Sequence, residues 1–293
     1  MRSVTPTLLV HGGAGKPSGG TVDDEASHHE ALAAALQAGR DVLDGGGEAL
    51  DAAEAAVRSL EDCALFNAGR GSVLTSERRV EMDGAVMDGS TQEAGACAAV
   101  TLVRHPVSLA RAVMEKTPHV LLVGEGAVRF ARDAGLELED AEWFVTERQR
   151  ELHSEHGTVG AAALDAQGNL AAATSTGGVR GQLPGRVGDS PQIGSGTWAD
   201  ERVAISCTGT GERFIRAAAA HEVSALVRHA GLSVAEAAQR VIETLGGDGG
   251  LIALGADGSL AMPFNTGLMY RGSASDGEIH TAIWPENEGA GDG

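Results

Sequence analysis

The stretch from Thr158 to Thr176 constrains the fold most, because it reads as an alanine-rich β-hairpin in mid-chain. Ala161-Leu164 is one arm, Asp165-Ala166-Gln167-Gly168-Asn169 the turn, and Leu170-Ala173 the returning arm. That arm runs on into Thr174-Ser175-Thr176-Gly177-Gly178. Short apolar runs bounded by turn residues are strands. A second hairpin, Leu251-Leu254 and Leu260-Phe264 around Asp257-Gly258, reads alike, which we take as shared turn chemistry rather than duplication. Aromatic residues are only 3% of the chain, so alanine, valine and leucine must fill its core, and 42 glycines imply many tight turns.

Around these hairpins the pattern alternates in blocks. Thr7-Val10 is a short buried strand ending in a glycine turn at His11-Gly12-Gly13. Leu32, Leu36 and Leu43 recur at helical spacing, as do Leu50, Ala53, Val57 and Leu60, with Gly45-Gly46-Gly47 as the breaker between them. An irregular loop, Cys63 to Ser72, precedes strands at Ala85-Met87 and Ala94-Val103 and helices at 107–116 and 124–134. Residues 137–155 are the most charged part, either a solvated helix face or a linker. After the first hairpin come a glycine-rich loop (177–197), a strand at Val203-Cys207 and helices at about 212–228 and 233–244. The tail at about 285–293 is acidic, glycine-rich and expected to be disordered. Strands and helices in blocks, without strict βαβ alternation, predict an α+β fold with two sheets flanked by helices.

The chain of 293 residues is long enough for one large domain or two ordinary ones. Its 22 basic and 41 acidic residues give a net charge of −19, which excludes binding to a phosphate backbone through lysine and arginine. Cys63, Cys97 and Cys207 are too few and too scattered for a disulfide framework, so a reducing, cytoplasmic compartment is expected. Leu8-Leu9-Val10 is broken at once by His11-Gly12-Gly13, so neither a signal peptide nor a membrane span is read there. Three familiar signals fail. A phosphate loop would need glycine at Val10 and a hydroxyl at Pro17. His29-Glu30 and His221-Glu222 have Ala33 and Ala225 where a zinc helix needs its second histidine. No Gly-x-Ser-x-Gly elbow lies between a strand and a helix.

One constellation carries chemistry. A threonine hydroxyl is a weak nucleophile and needs a base. Cutting the Gly157–Thr158 bond would give Thr158 a free α-amine, which titrates at about 7.7–8.0 and accepts the hydroxyl proton at cellular pH. Gly157, lacking a side chain, lets the hydroxyl approach the scissile carbonyl. Thr158 is otherwise a threonine opening a strand. Thr176 is either a second hydroxyl at the Thr158 head or a strand-end turn residue. Thr208 and Gly209 form either an oxyanion hole or an ordinary glycine-rich helix entry. Arg186 and Asp189 either pair with each other or receive a substrate bearing both a carboxylate and an ammonium.

These residues, with His11-Gly12-Gly13-Ala14-Gly15, Phe66-Asn67-Ala68-Gly69, Met87-Asp88-Gly89, Pro118-His119-Val120, Gly124-Glu125-Gly126, Pro263-Phe264-Asn265-Thr266 and Met269-Tyr270, span nearly the whole chain. Together they resemble the plant-type asparaginase and isoaspartyl peptidase family of N-terminal-nucleophile threonine hydrolases. The resemblance implies a single domain with a four-layer αββα sandwich, cut at Gly157–Thr158 into an α-chain of residues 1–157 and a β-chain of residues 158–293. The charged linker then lies at about 137–157.

The resemblance further implies Thr158 as nucleophile, Thr176 as the neighbouring hydroxyl and Thr208 with Gly209 as oxyanion hole. It makes Arg186, Asp189, Gly211 and Asn67 the substrate contacts. The main-chain carbonyls of Leu60, Glu61, Cys63, Phe66, Ala68 and Arg70 would hold a structural sodium ion, with no cofactor for catalysis. Substrates would be β-aspartyl dipeptides or asparagine, and the assembly a homodimer of processed units, with neither nucleic acid nor membrane as partner. A glycosylasparaginase activity and an uncleaved, non-catalytic binding protein are the alternatives. The chain departs from the family in three places. The linker is short, Val179-Arg180-Gly181 adds a charge near the pocket mouth, and Gly267-Leu268 separates Thr266 from Met269.

Overall fold

The computed structural model describes residues 4–16, 22, 24–147, 149, 157–247 and 249–285. The first hairpin forms as read. Strands β5 (Val159–Leu164) and β6 (Leu170–Thr176) pair antiparallel from Val159↔Ser175 to Leu164↔Leu170. The Asp165 carboxylate closes the turn, accepting from the Gln167 and Asn169 amides at 2.9 Å each. It also accepts from the Ala49 amide at 3.2 Å, at the start of helix α2 (Ala49–Asp62), whose N-cap Glu48 makes no side-chain cap. One turn residue thus satisfies a helix end that would otherwise be orphaned.

Strand β1 (Thr7–Gly15) runs through the expected glycine turn instead of stopping at Val10. A bulge between His11 and Gly13 keeps it paired to β11 (Leu268–Ser275), and Gly13, at φ 112°, takes the conformation that the bulge requires. Eight strands follow the order β12-β11-β1-β5-β6-β2-β3-β4, where β2 is Met82–Asp88, β3 Ala94–Val100, β4 Leu121–Val123 and β12 Glu278–Ala282. A second sheet has the order β10-β9-β8-β7, with β7 Thr197–Ala199, β8 Val203–Gly209, β9 Gly249–Gly255 and β10 Leu260–Ala261.

Alternation along the hairpin decides what packs where. Ala161, Ala163, Ala171 and Ala173 join Leu32, Leu36 and Leu43 of α1 (Glu25–Asp44) and Ala53, Val57 and Leu60 of α2. Ala162 and Ala172 point the other way, into a core shared with Ala204 of β8 and Ile252 and Leu254 of β9. The far face of the second sheet buries Ile205, Cys207 and Ala253 against Val223 of α7 (Ala219–Ala230) and Ala238 and Ile242 of α8 (Val234–Thr244). Helices α3 (Pro106–Lys116) and α4 (Gly124–Asp133) cover the β2-β3 end, where Phe144 of α5 (Ala141–Phe144) is buried.

Three further expectations change. The helix read at 212–228 is two, α6 (Gly211–Ala217) and α7, because Ala218 between them adopts φ 46°, ψ 47°. The second hairpin has a short returning arm, since Pro263 has no N–H for a ladder; Phe264 makes only an isolated bridge to Gly250. The β11-β12 hairpin near the end was not anticipated. It supplies the strands that flank β1 on its outer side. The tail beyond 285 lies outside the described residues, as do Arg148 and 150–156 of the charged segment.

Candidate active site

Thr158 sits at the mouth of β5, 5% exposed, with its Oγ1 donating to Thr176 Oγ1 at 3.3 Å. Thr176 Oγ1 donates in turn to the Gly157 carbonyl at 3.0 Å and accepts from the Gly178 amide at 3.0 Å. A second donor reaches the same carbonyl: Asn67 Nδ2, at 2.9 Å. Asn67 is itself fixed, since its Oδ1 accepts from the Val73 amide at 2.9 Å and its Nδ2 also donates to the Gly178 carbonyl at 2.7 Å. The carbonyl of the Gly157–Thr158 bond is therefore held by two donors beside the hydroxyl that would attack it. The resemblance implies Asn67 as a substrate contact; in the uncut chain its amide donates to this carbonyl.

Close approach explains the glycines on the opposite wall. A β-carbon on Gly13 would lie 3.0 Å from the Gly157 Cα, so the glycine of β1 lets the two backbones meet. His11 faces Gly160 across the ladder and Ser206 across the sheets, its Nε2 2.8 Å from Ser206 Oγ. Burial pushes the His11 imidazole down to about 3, so the ring is neutral and serves as a fixed hydrogen-bonding group. From Ser206 a chain of hydroxyls continues through Thr174 at 2.7 Å to Thr197 at 2.6 Å and the Ser190 carbonyl at 3.0 Å. Only the hydroxyl-rich strand ends hint at this inter-sheet chain in the sequence.

The same facing register locates Thr208. Ser206 lies opposite His11, and Thr208 Oγ1 accepts from the Ala14 amide at 3.3 Å, one residue beyond Gly13. Thr208 and Gly209 thus end β8 at the Thr158 side, inside a ladder that runs to Gly209↔Gly249. Gly209 has φ 147°, a conformation that favours glycine.

Arg186, Asp189 and Gly211 converge. A β-carbon on Gly211 would lie 2.8 Å from Asp189 Oδ1 and 3.0 Å from Arg186 Nη2. Arg186 is not paired with Asp189: its guanidinium forks onto Glu212, Nε to Oε1 at 3.0 Å and Nη2 to Oε2 at 3.1 Å. Asp189 is 4% exposed, and burial pushes its carboxyl up to about 7, with Arg186 pulling it down and Asp83 and Glu212 pushing it further up. Arg180 donates from Nη1 to the Gln149 carbonyl at 2.6 Å and so ties Gln149, in the charged segment, to the Gly177–Gly181 loop.

Among the described residues no cluster of three or more His, Cys, Asp or Glu side chains could hold a metal ion. In the Leu60–Arg70 loop the main chain curls back on itself. A β-carbon on Gly71 would lie 2.7 Å from the Phe66 carbonyl oxygen and 2.8 Å from that of Ala64. The Leu60 and Glu61 carbonyls already accept from the Cys63 and Arg70 amides at 3.2 and 2.7 Å, each keeping a second lone pair.

The chain is similar to known proteins over nearly its whole length. A family model described as Asparaginase matches residues 4–155 and 147–283. An isoaspartyl peptidase of Escherichia coli K12 is 47% identical over 302 residues, covering 94% of each chain. An isoaspartyl peptidase/L-asparaginase of Homo sapiens is 39% identical over 304 residues, covering 97% of this chain and 98% of its own. A probable isoaspartyl peptidase/L-asparaginase of Arabidopsis thaliana is 38% identical over 319 residues. With matches of that length running through every strand of both sheets, the chain belongs to the asparaginase family that contains the isoaspartyl peptidases.

Proposed function

We propose that this chain is a self-activating amidohydrolase that cleaves β-aspartyl dipeptides and L-asparagine. The observation that carries the reading is the Gly157 carbonyl, gripped by Asn67 and Thr176 next to the Thr158 hydroxyl. In activation, Thr158 Oγ1 attacks the Gly157 carbonyl carbon while Asn67 Nδ2 and Thr176 Oγ1 stabilise the oxyanion. The C–N bond breaks as the Thr158 nitrogen takes up a proton, leaving an ester that water hydrolyses. The products are residues 1–157 and 158–293, with a free α-amine on Thr158.

In turnover that amine takes the hydroxyl proton as Thr158 attacks the side-chain carbonyl of the substrate. The oxyanion rests on Thr208 and the Gly209 N–H, the amine or ammonia leaves, and water hydrolyses the aspartyl ester. Arg186 receives the substrate α-carboxylate, and Asp189 with the Gly211 main chain holds its ammonium. In the free protein the Glu212 carboxylate stands on the Arg186 fork; it is half-exposed and can swing away when substrate displaces it. The main-chain carbonyls of Leu60, Glu61, Cys63, Phe66, Ala68 and Arg70 would hold a structural sodium ion, which would supply charge to steady the loop bearing Asn67. The layers described above form the αββα sandwich of N-terminal-nucleophile hydrolases, and processed units pair as a cytoplasmic homodimer.

Replacing Thr158 by alanine tests the core of this reading. The variant should stay a single chain and hydrolyse no β-aspartyl dipeptide, while wild type is cut into two chains and hydrolyses it. Cleavage or turnover by the alanine variant would refute the assignment.

A further inference from the structure

Asp83 is a buried carboxylate near the start of β2, whose other carboxylate, Asp88, lies at its partly exposed end, and neither cleavage nor turnover as described uses Asp83. It lies on β2 directly opposite Thr176 of β6 and is 2% exposed. The β2-β3 ladder slips between Met82 and Gly84, so Asp83 has no direct partner on β3. A bulge of this kind re-aims a side chain. The Asp83 carboxyl fills the gap: Oδ1 accepts from the Ala99 amide at 2.8 Å, and Ala99 is held at φ 50°. Oδ2 turns towards the glycine-rich loop and accepts from the Gly188 amide at 3.3 Å.

Gly188 stands between Arg186 and Asp189, and a β-carbon on it would lie 3.0 Å from Arg186 Nη1. The Glu81 carboxylate tethers the loop as well, accepting from the Gly185 amide at 2.7 Å. Charge is set tightly here. Burial pushes the Asp83 carboxyl up to about 6, its two amide donors and Arg186 pull down, and Glu81 pushes up. Asp83 in turn raises both Asp189 and the buried Cys97 thiol.

We propose that Asp83 is a positioning residue for substrate capture: its carboxyl ties the loop bearing Arg186 and Asp189 to the strand that carries it past Thr176. This rests on the reading that Arg186 and Asp189 hold the two charged ends of the substrate. Asp83 makes no contact with the Gly157 carbonyl, so its work is in binding, not in cleavage of the chain.

The test is D83N, which keeps the shape but offers an amide that cannot accept from both main-chain N–H groups. Self-cleavage should proceed and serve as the check on folding. KM for a β-aspartyl dipeptide should rise about five- to tenfold, the effect of one lost hydrogen bond, with kcat changing less. The acid limb of KM should also move to lower pH, because Asp189 loses a negative neighbour. A KM and an acid limb identical to wild type would overturn the proposal, and so would equal losses in cleavage, kcat and KM. Should D83N fail to accumulate as cleaved protein, D83S is read for the same split. R186A separates the two layers of the argument. If R186A raises KM while D83N does not, the Asp83 role alone is wrong. If R186A leaves KM unchanged, the substrate-site reading falls and this proposal with it.

Discussion

Asn67 shows how much one side chain can be asked to do. Its Nδ2 donates to the Gly157 carbonyl and its Oδ1 fixes the Val73 amide, so Asn67→Asp keeps the shape and the acceptor but removes the donor. Loss of one oxyanion donor costs about a hundredfold or more in rate, and self-cleavage of Asn67→Asp followed by gel or mass should slow by that order. Cleavage at the wild-type rate would contradict the role. Asp189 gives a second expectation at this scale. Buried, its carboxyl is raised to about 7, so below that pH it is neutral and cannot pair with a substrate ammonium, while above it the charge is present. KM for a β-aspartyl dipeptide should therefore rise as pH falls through 7, and Asp189→Asn should flatten that rise; a wild-type KM constant between pH 6 and 8 would count against it. At this scale the family resemblance singled out the hydroxyls and Arg186, and the structure brings the Thr158 and Thr176 hydroxyls together. The sequence reading did not find Glu212 on the Arg186 fork, because pairing across a loop and a helix start has no sequence periodicity. Asp83 was missed too, although a carboxylate within a largely apolar strand is itself a signal.

Elements with strong periodicity were legible. The leucines of α1, the Ala-Val-Leu face of α2 and the alanine hairpin are all where the pattern put them. Elements decided by single backbone angles were not. Ala218 breaks a continuous helical pattern by adopting a left-handed conformation, and nothing about an alanine among alanines announces it. That conformation costs an L-residue about 1–2 kcal/mol, which glycine largely avoids. Ala218→Gly should therefore leave stability unchanged or raise it by up to about 1 kcal/mol in thermal or denaturant unfolding. A clear loss would mean that the alanine methyl packs in a way that outweighs the strain. The strands β11 and β12 were hidden for another reason. Their side chains mix small, polar and charged residues, and their place is set by pairing with β1, a contact between the two ends of the chain.

That pairing shapes the whole molecule. β1 comes from the first 157 residues, yet its neighbours on both sides, β5 and β11, lie after Thr158. The two pieces made by cleavage would share one sheet and two cores, so they should remain together without any covalent link. The alanine hairpin sits at the middle of this arrangement, with helices against one face and the second sheet against the other. Its head is Thr158, so the proposed nucleophile is carried by a hairpin whose two strands are buried throughout and not by a loose loop. The central claim, that this residue becomes a new N-terminus within an intact fold, is tested most directly by one experiment. Purified protein is run on a native sizing column, and the mass of every chain in the folded peak is then measured. The account predicts two chains eluting together, residues 1–157 and residues 158–293 beginning at Thr158. A single uncut chain that hydrolyses β-aspartyl dipeptides at full rate would contradict it.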